Sequence, residues 1–292
     1  MDAKVIGITA ALASSASWAI GSILFKRLGE SISPLAMTLA KGSVSVILLG
    51  LTLSITGYSG VNRESLVLLI ISGLLGISLG DTFFFEALQN LGPHALVILL
   101  MLGEVITAML AVIFLGEMPT PTVWLGIFLV ILGVAIVIFP KLSGEQQASS
   151  TRGIIFGLLS VLCMSVSIIF AKQGLSSLST IQATFIRMAA GTAGMLCFGT
   201  LTNRLGSWAV PFKDRNIIYL FIISVSIVTF GGFWLSLVAI KYVNVAVANT
   251  LNSIEPLFVM PLAAIFLKEK FSTQALWGTI VTTFGIVLIC TQ

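Results

Sequence analysis

Residues 249–269 read NTLNSIEPLFVMPLAAIFLKE, a stretch long enough to cross a lipid bilayer that nevertheless contains a carboxylate, Glu255. A membrane-spanning helix needs about 20 predominantly apolar residues. Asn249, Asn252 and Glu255 recur every third residue, so a helix would bring them to one side. A charged side chain near the bilayer centre costs about 2.5–3.5 kcal/mol on insertion scales, and such residues usually serve a function. This side of the helix is therefore predicted to face a polar environment rather than lipid.

A second stretch of the same kind occurs earlier in the chain. Residues 99–117, LLMLGEVITAMLAVIFLGE, place Glu104 where the later stretch has Glu255. The two halves of the chain align when the second is shifted by 146 to 152 residues. The positions that then coincide are Gly7 with Gly153, Lys26 with Lys172, Lys41 with Arg187, Gly80 with Gly231, Glu104 with Glu255, Glu117 with Glu269, Gly126 with Gly278, and Gly133 with Gly285. Because charged residues are few and still coincide, we interpret the chain as an internal duplication.

The composition is that of an integral membrane protein. Of the 292 residues, 57% are hydrophobic and only 9% are charged, whereas soluble domains carry about 25% charged residues. The predicted fold class is all-α integral membrane, with a first five-helix repeat at 1–140, a polar linker at 141–152 and a second five-helix repeat at 153–292. Apolar runs bounded by turn signals predict ten spans, at 5–25, 34–56, 65–88, 94–115, 121–139, 153–173, 180–201, 217–240, 245–267 and 272–290.

The odd number of spans per repeat determines how the two halves are oriented. After five crossings the chain enters the second repeat from the opposite side of the membrane, so the repeats are inverted. Inverted repeats recur in secondary transporters, whose binding sites lie near the midplane where the halves meet. Outside the spans, four Lys and Arg residues lie on the face that carries the termini and nine lie on the other face. That distribution favours termini outside the cell.

Two basic residues lie deep within predicted spans. Lys41 and Arg187 are about seven residues into spans 2 and 7, roughly 10 Å along a helix. An inward-facing base could bind a carboxylate or phosphate, and Arg offers a bidentate geometry that Lys lacks. The alternatives are an ion pair with Glu104 or Glu255, and a side chain that extends to the lipid headgroups.

Other residues are weaker candidates for the same site. Asp81 in span 3 is a candidate lining residue. Trp18 in span 1 and Trp234 in span 8 could stack on a ligand, although aromatic residues in spans also serve as packing residues. For the two repeat-related acids, Glu104 and Glu255, the alternatives are a ligand or proton site and a structural hydrogen bond to a neighbouring helix end.

Three positions are predicted to act as hinges. Pro256 and Pro261 each remove a backbone hydrogen bond and should kink or loosen span 9 beside Glu255, leaving carbonyl groups to face a cavity. Gly80 lies in the glycine-rich span 3, which is expected to bend with it.

The sequence lacks the parts that most enzyme chemistry requires. It contains one His and three Cys, which lie in separate apolar runs, and no glycine-rich phosphate loop. A zinc cluster, a disulfide framework and a Ser-His-Asp triad therefore lack their residues. No catalytic residue, cofactor or metal is expected. The net charge of +4 reflects Lys and Arg between spans, and no nucleic acid is expected as a partner.

Several short motifs stand at characteristic places in the chain, and some of them occur once in each half. They are Gly80-Asp81 followed by FFEAL at 84–88, SIEP at 253–256, the span endings FLGE at 114–117 and FLKE at 266–269, and the following WLG at 124–126 and WG at 277–278. Together with the basic residue early in spans 2 and 7, they resemble the EamA-type members of the drug/metabolite transporter superfamily, over essentially the whole chain. The sequence departs from that pattern at Val105, where Pro is usual, and at Lys41, where Arg is commoner.

The resemblance implies a transporter that exports amino acids or related metabolites. It also implies that both termini lie in the cytoplasm, whereas the distribution of Lys and Arg favours termini outside the cell. We predict a secondary active transporter of the inner or plasma membrane that works by alternating access, as a monomer or homodimer. Its partners would be a small-molecule cargo, the lipid bilayer and protons coupled through Glu255. One alternative is an organophosphate or nucleotide-sugar antiporter, whose anion Lys41 and Arg187 would bind. A membrane-embedded lipid enzyme and a non-transporting scaffold are less favoured.

Overall fold

The computed structural model describes residues 3–103, 105–106, 120–142, 147–175, 178–243, 248, 251, 254–268 and 272–290. Every regular element in these ranges is helical. Three predicted site residues, Glu104, Asn249 and Asn252, lie outside the described residues.

The helices follow the ten predicted spans, which are numbered here in chain order. Within the described ranges, six helices are long and apolar enough to cross a membrane, and shorter apolar helices lie in spans 5, 9 and 10. The prediction of an all-α membrane protein is therefore confirmed. Spans 1 to 5 contain Ala3–Leu28, Pro34–Thr56, Arg63–Leu91, Pro93–Leu100 and Pro121–Leu142. Spans 6 to 10 contain Gln147–Gly174, Thr180–Leu201, Arg215–Tyr242, Glu255–Phe266 and Thr273–Cys290.

Spans 2 and 7 begin in the same way, as the duplication predicts. Ser33 precedes span 2, and its hydroxyl accepts a hydrogen bond from the backbone N–H of Ala36 at 3.4 Å. Ser179, 146 residues further on, accepts one from the N–H of Gln182 at 3.3 Å. These N-caps satisfy backbone donors that a helix start would otherwise leave unpaired.

The predicted polar linker at 141–152 is shorter than expected. Span 5 continues as helix to Leu142, and span 6 begins at Gln147. The guanidinium of Arg152 forms a 2.8 Å ion pair with Glu86 at the end of span 3 and lies over the ring of Phe156. These contacts join the polar start of span 6 to span 3.

The two repeats are intertwined rather than placed side by side. Span 1 packs against span 8, the third helix of the other repeat, and span 6 packs in the same way against span 3. Spans 2 and 7 pair with each other, as do spans 5 and 10. Each of these contacts maps onto itself or onto another when the repeats are exchanged, as an inverted duplication requires.

Spans 5 and 10 meet at glycines. A Cβ added at Gly285 would lie 2.8 Å from the carbonyl oxygen of Gly126, and one added at Gly133 would lie 2.1 Å from Thr282 Oγ1. The two helices therefore approach backbone to backbone, a packing mode typical of membrane helices with small residues at matching positions. Their outer faces carry large exposed apolar side chains such as Trp124 and Phe284, which suits contact with lipid.

Spans 3 and 8 share an interruption. Gly73–Gly80 in span 3 and Ile227–Trp234 in span 8 are π-helical segments of eight residues each. A π-helix turns more widely than an α-helix and changes which side the following residues occupy. Such segments are frequent at functional sites.

A serine from the opposite repeat hydrogen-bonds each π-helical segment. Ser14 in span 1 donates to the carbonyl oxygen of Gly232 at 3.1 Å, and Ser160 in span 6 donates to that of Gly80 at 3.0 Å. The two serines are 146 residues apart and both are fully buried. Because the wider turn disturbs the α-helical pairing of backbone carbonyls, these hydroxyls supply partners to buried acceptors.

We expect Ser14→Ala and Ser160→Ala each to destabilise the protein by about 0.5–1.5 kcal/mol, because each removes a buried hydrogen bond to a π-helical segment, with Ser14→Ala at the upper end since it also removes the 2.7 Å hydrogen bond with Ser236. Thermal unfolding in nanodiscs would measure both. Ser54→Ala is the control, since its hydroxyl bonds only within its own helix on an exposed face and its loss should have little effect. A large loss for one buried serine and none for the other would contradict this expectation.

Candidate functional site

A cavity of about 300 Å³ lies where the two repeats meet. Spans 1, 3 and 4 line it from the first repeat, and spans 6, 7, 8 and 9 from the second. Its wall combines charged side chains, namely Asp81, Arg187 and Glu255, with the aromatic rings of Trp18, Phe84 and Phe233. In the described part of the chain, spans 2, 5 and 10 contribute no lining residue.

Lys41 forms a buried ion pair with Asp81. The two side chains are 2% exposed, and the Lys41 ammonium also lies over the ring of Phe233, 4.3 Å from its centroid. Of the alternatives considered for this lysine, an ion pair is the one found, with Asp81 as the described partner rather than Glu255, while Glu104 lies outside the described residues. Asp81 directly follows the π-helical segment of span 3, whose wider turn alters the direction of that residue from what a regular α-helix would give.

Arg187 occupies the equivalent place in the second repeat, but it forms no ion pair with any acid of the described residues. Its Nη2 donates to Ser167 Oγ at 3.2 Å, and its Nε is buried without a hydrogen-bond partner. Ser167 is itself held by span 3, because its hydroxyl donates to the carbonyl oxygen of Ser72 at 2.7 Å. The guanidinium is therefore positioned at the cavity wall with donors to spare.

Glu255 begins the described helix of span 9 and lines the same cavity. Within the described residues, its carboxylate has no hydrogen-bond or ion-pair partner. A lone acid on the wall of an intramembrane cavity can exchange a proton or receive a cationic group.

The two predicted aromatic contacts differ in position. Trp18 lines the cavity and meets Phe233 edge to face, with ring centroids 4.7 Å apart. Trp234 is not among the lining residues, and its indole N–H donates to Thr180 Oγ1 at the start of span 7 at 3.0 Å. The structure thus brings Trp18 together with Asp81, Arg187 and Glu255, but does not bring Trp234 to them.

The predicted hinge residues lie at helix irregularities near the site. Gly80 ends the π-helical segment of span 3. Pro256 lies in the first turn of the described span 9 helix, where its missing N–H costs no hydrogen bond, rather than at an internal kink. Pro261 lies inside that helix, where a helical hydrogen bond is lost.

Phe84, Phe233 and Ser167 are among the lining residues that the sequence predictions of the site missed. Phe84 and Phe233 complete the aromatic wall, and Ser167 holds Arg187. Phe84 belongs to a recognised motif, but in a chain with 19 phenylalanines an aromatic residue gives little positional signal. Ser167 aligns with Gly21 in the first repeat, so the duplication did not identify it either.

The sequence profile of the EamA-like transporter family matches residues 5–139 and 151–291, once for each repeat. The chain belongs to the EamA-like transporter family. As a member of this family it is a multi-pass membrane protein and a transporter, in agreement with its helices and its central cavity.

Several curated proteins are similar to this EamA-like chain. An uncharacterized transporter of Archaeoglobus fulgidus is 26% identical over 206 residues, 70% of each chain. Protein LicB of Haemophilus influenzae is 22% identical over 94% of each chain. The uncharacterized inner membrane transporter YhbE of Escherichia coli is 24% identical over 49% of this chain and 44% of its own. A solved crystal structure with 16% identity superposes on 99% of this chain and 95% of its own with a TM-score of 0.63, which supports the fold.

Proposed function

We propose that this EamA-like protein is a secondary active transporter that exports an amino acid or a related small metabolite by alternating access. The observation that carries the proposal is the cavity between the two inverted repeats, with Arg187 and Glu255 on its wall. Its volume of about 300 Å³ is at the lower end of the usual range for ligand sites and suits a small cargo. Its mixed charged and aromatic lining suits a cargo that has both polar and apolar parts.

Alternating access is supported by where the helices are irregular. The π-helical segments of spans 3 and 8 lie in the third helix of each repeat and contribute Gly76, Ile77 and Phe233 to the cavity wall. In inverted-repeat transporters, one repeat moves against the other around a midplane site. Segments whose backbone pairing is already irregular can change shape at lower cost than regular helix, so bending there would open the cavity to each side in turn.

The organophosphate or nucleotide-sugar antiporter is less well supported. That alternative needs Lys41 and Arg187 to bind a phosphate together, but the Lys41 ammonium is already paired with Asp81. A phosphate monoester carries a charge of about −1.5 to −2 at pH 7, and Arg187 alone would balance only part of it.

Counterflow into proteoliposomes containing the purified full-length chain tests the proposal. Vesicles preloaded with an unlabelled amino acid mixture should accumulate a labelled member of the mixture transiently and saturably, whereas empty vesicles should not. Sugar phosphates added outside should compete poorly with this uptake, whereas absent amino acid counterflow together with counterflow of a labelled sugar phosphate would favour the organophosphate antiporter. If the protein converts labelled lipid to a product and shows no saturable uptake, it is a lipid enzyme rather than a transporter.

A further inference from the structure

Lys41 and Arg187 occupy equivalent positions in the two repeats, yet their surroundings differ in a way that separates their roles. Lys41 is neutralised by Asp81. Arg187 is 7% exposed and has one described side-chain partner, the uncharged Ser167, while its Nε has none. Of the two bases inside the spans, only Arg187 therefore brings a positive charge to the cavity that no described ion pair cancels.

Burying a guanidinium whose N–H donors have no acceptor costs free energy unless another group accepts those hydrogen bonds. Arg carries five N–H donors in a rigid fork, and a buried donor without an acceptor loses its hydrogen bonds to water and gains none in exchange. A purely structural Arg would meet carbonyl or carboxylate oxygens on its Nε side. Here that side is empty among the described residues, and the residue lines the cavity. The missing partner is thus expected to be a ligand.

A glycine in span 3 makes room for the serine that holds this guanidinium. A Cβ added at Gly76 would lie 2.3 Å from Ser167 Oγ and 3.6 Å from Arg187 Nη2. Only glycine at this position lets Ser167 approach and hold the guanidinium at the cavity wall. This local fit is independent of the unpaired Nε and points to the same group.

We propose that Arg187, held by Ser167, binds the carboxylate of the cargo, and that Lys41 does not contact it. The inference rests on the proposed function and specifies how the cargo is recognised. The charges on the wall favour a carboxylate over a phosphate, because Arg187 is the one lining cation of the described residues and no described ion pair cancels it. A dianion would meet Glu255 on the same wall and would find no second unpaired base among the described lining residues. The planar fork of Arg also matches the two oxygens of a carboxylate.

The test compares binding of acids with binding of their uncharged amides. The full-length protein in nanodiscs is titrated with the twenty L-amino acids, with the corresponding L-amino acid amides, and with glycerol 3-phosphate, while thermal unfolding is followed. We expect at least one amino acid to stabilise the wild type at concentrations at least 10-fold lower than its amide. Arg187→Gln should weaken binding of that amino acid about 10- to 100-fold and abolish its advantage over the amide.

Two further variants separate loss of carboxylate binding from loss of folding. Arg187→Lys retains the charge without the fork, so it should keep part of the preference for the acid even if Arg187→Gln folds poorly. Arg152→Gln removes a guanidinium that is 62% exposed and paired with Glu86 outside the cavity, and it should bind as the wild type does. Equal preference for the acid in the wild type and in both Arg187 variants would overturn the proposal.

Other outcomes separate this inference from the proposed function. Stabilisation by glycerol 3-phosphate alone, by amides alone, or by no acid in the series would overturn the carboxylate assignment. Counterflow of a compound without a carboxylate would do the same and leave the transporter in place. Binding of acids that depends on Arg187, without counterflow, would leave the carboxylate site in place and overturn the proposed transport.

Discussion

Lys41→Met should lower the free energy of unfolding by about 3–5 kcal/mol, because it leaves the carboxylate of Asp81 buried without its partner. Both residues are at most 2% exposed, so the carboxylate that loses its partner stays largely desolvated. The Phe233 ring, which now lies beside the ammonium, offers a cation–π contact but no hydrogen-bond donor to the acid. Thermal or denaturant unfolding in detergent or nanodiscs would measure the loss.

The double variant Lys41→Met/Asp81→Leu decides whether the loss comes from the unpaired charge. Removing both charges leaves an apolar pair of similar volume, which in other proteins is often neutral or stabilising. We therefore expect the double variant to be more stable than Lys41→Met alone. Lys172→Met, which changes an exposed lysine at the end of span 6, should shift stability by less than about 0.5 kcal/mol. If the double variant loses as much as the sum of the two single variants, the pair is not the source of the effect.

Glu255→Gln should abolish uptake driven by a pH gradient while leaving exchange of cargo across the membrane intact. Two acids line the cavity in the described part of the chain. Asp81 is paired with Lys41, whereas Glu255 has no ion pair with any described base. A transporter that couples to protons needs a group that binds a proton on one side and releases it on the other, and an amide does neither. Comparing gradient-driven uptake with counterflow in the same proteoliposomes separates the two activities.

The matched control is Glu86→Gln. Glu86 is also a carboxylate of the membrane helices, but it is paired with Arg152 near the end of span 3 and does not line the cavity. Its replacement should leave the gradient dependence unchanged. If Glu255→Gln retains full gradient-driven uptake, Glu255 is not the coupling group and another acid or ion must be sought.

The helix boundaries show how far local pattern determines the fold. Span 2 was predicted at 34–56 and is found at Pro34–Thr56, and span 7 was predicted at 180–201 and is found at Thr180–Leu201. Apolar length and capping residues are local properties, so they can be read without the tertiary structure. Within the segment 141–152 that composition marks as polar, span 6 is already helical from Gln147, and Arg152 there contacts Glu86 in span 3, which local pattern does not reveal.

The sequence by itself determined that this is a duplicated membrane protein with ionisable residues inside its spans. Hydropathy, the odd number of spans per repeat and the spacing of like residues can all be obtained from the sequence without a structure. Only the tertiary structure decided which of those residues are paired. Lys41 and Arg187 are equivalent along the chain, but the π-helical segment of span 3 and the intertwined packing bring Asp81 to the lysine and leave the arginine with donors unused. Which charge is cancelled depends on the rotation of helices about their axes, and no periodicity within a single span contains that information.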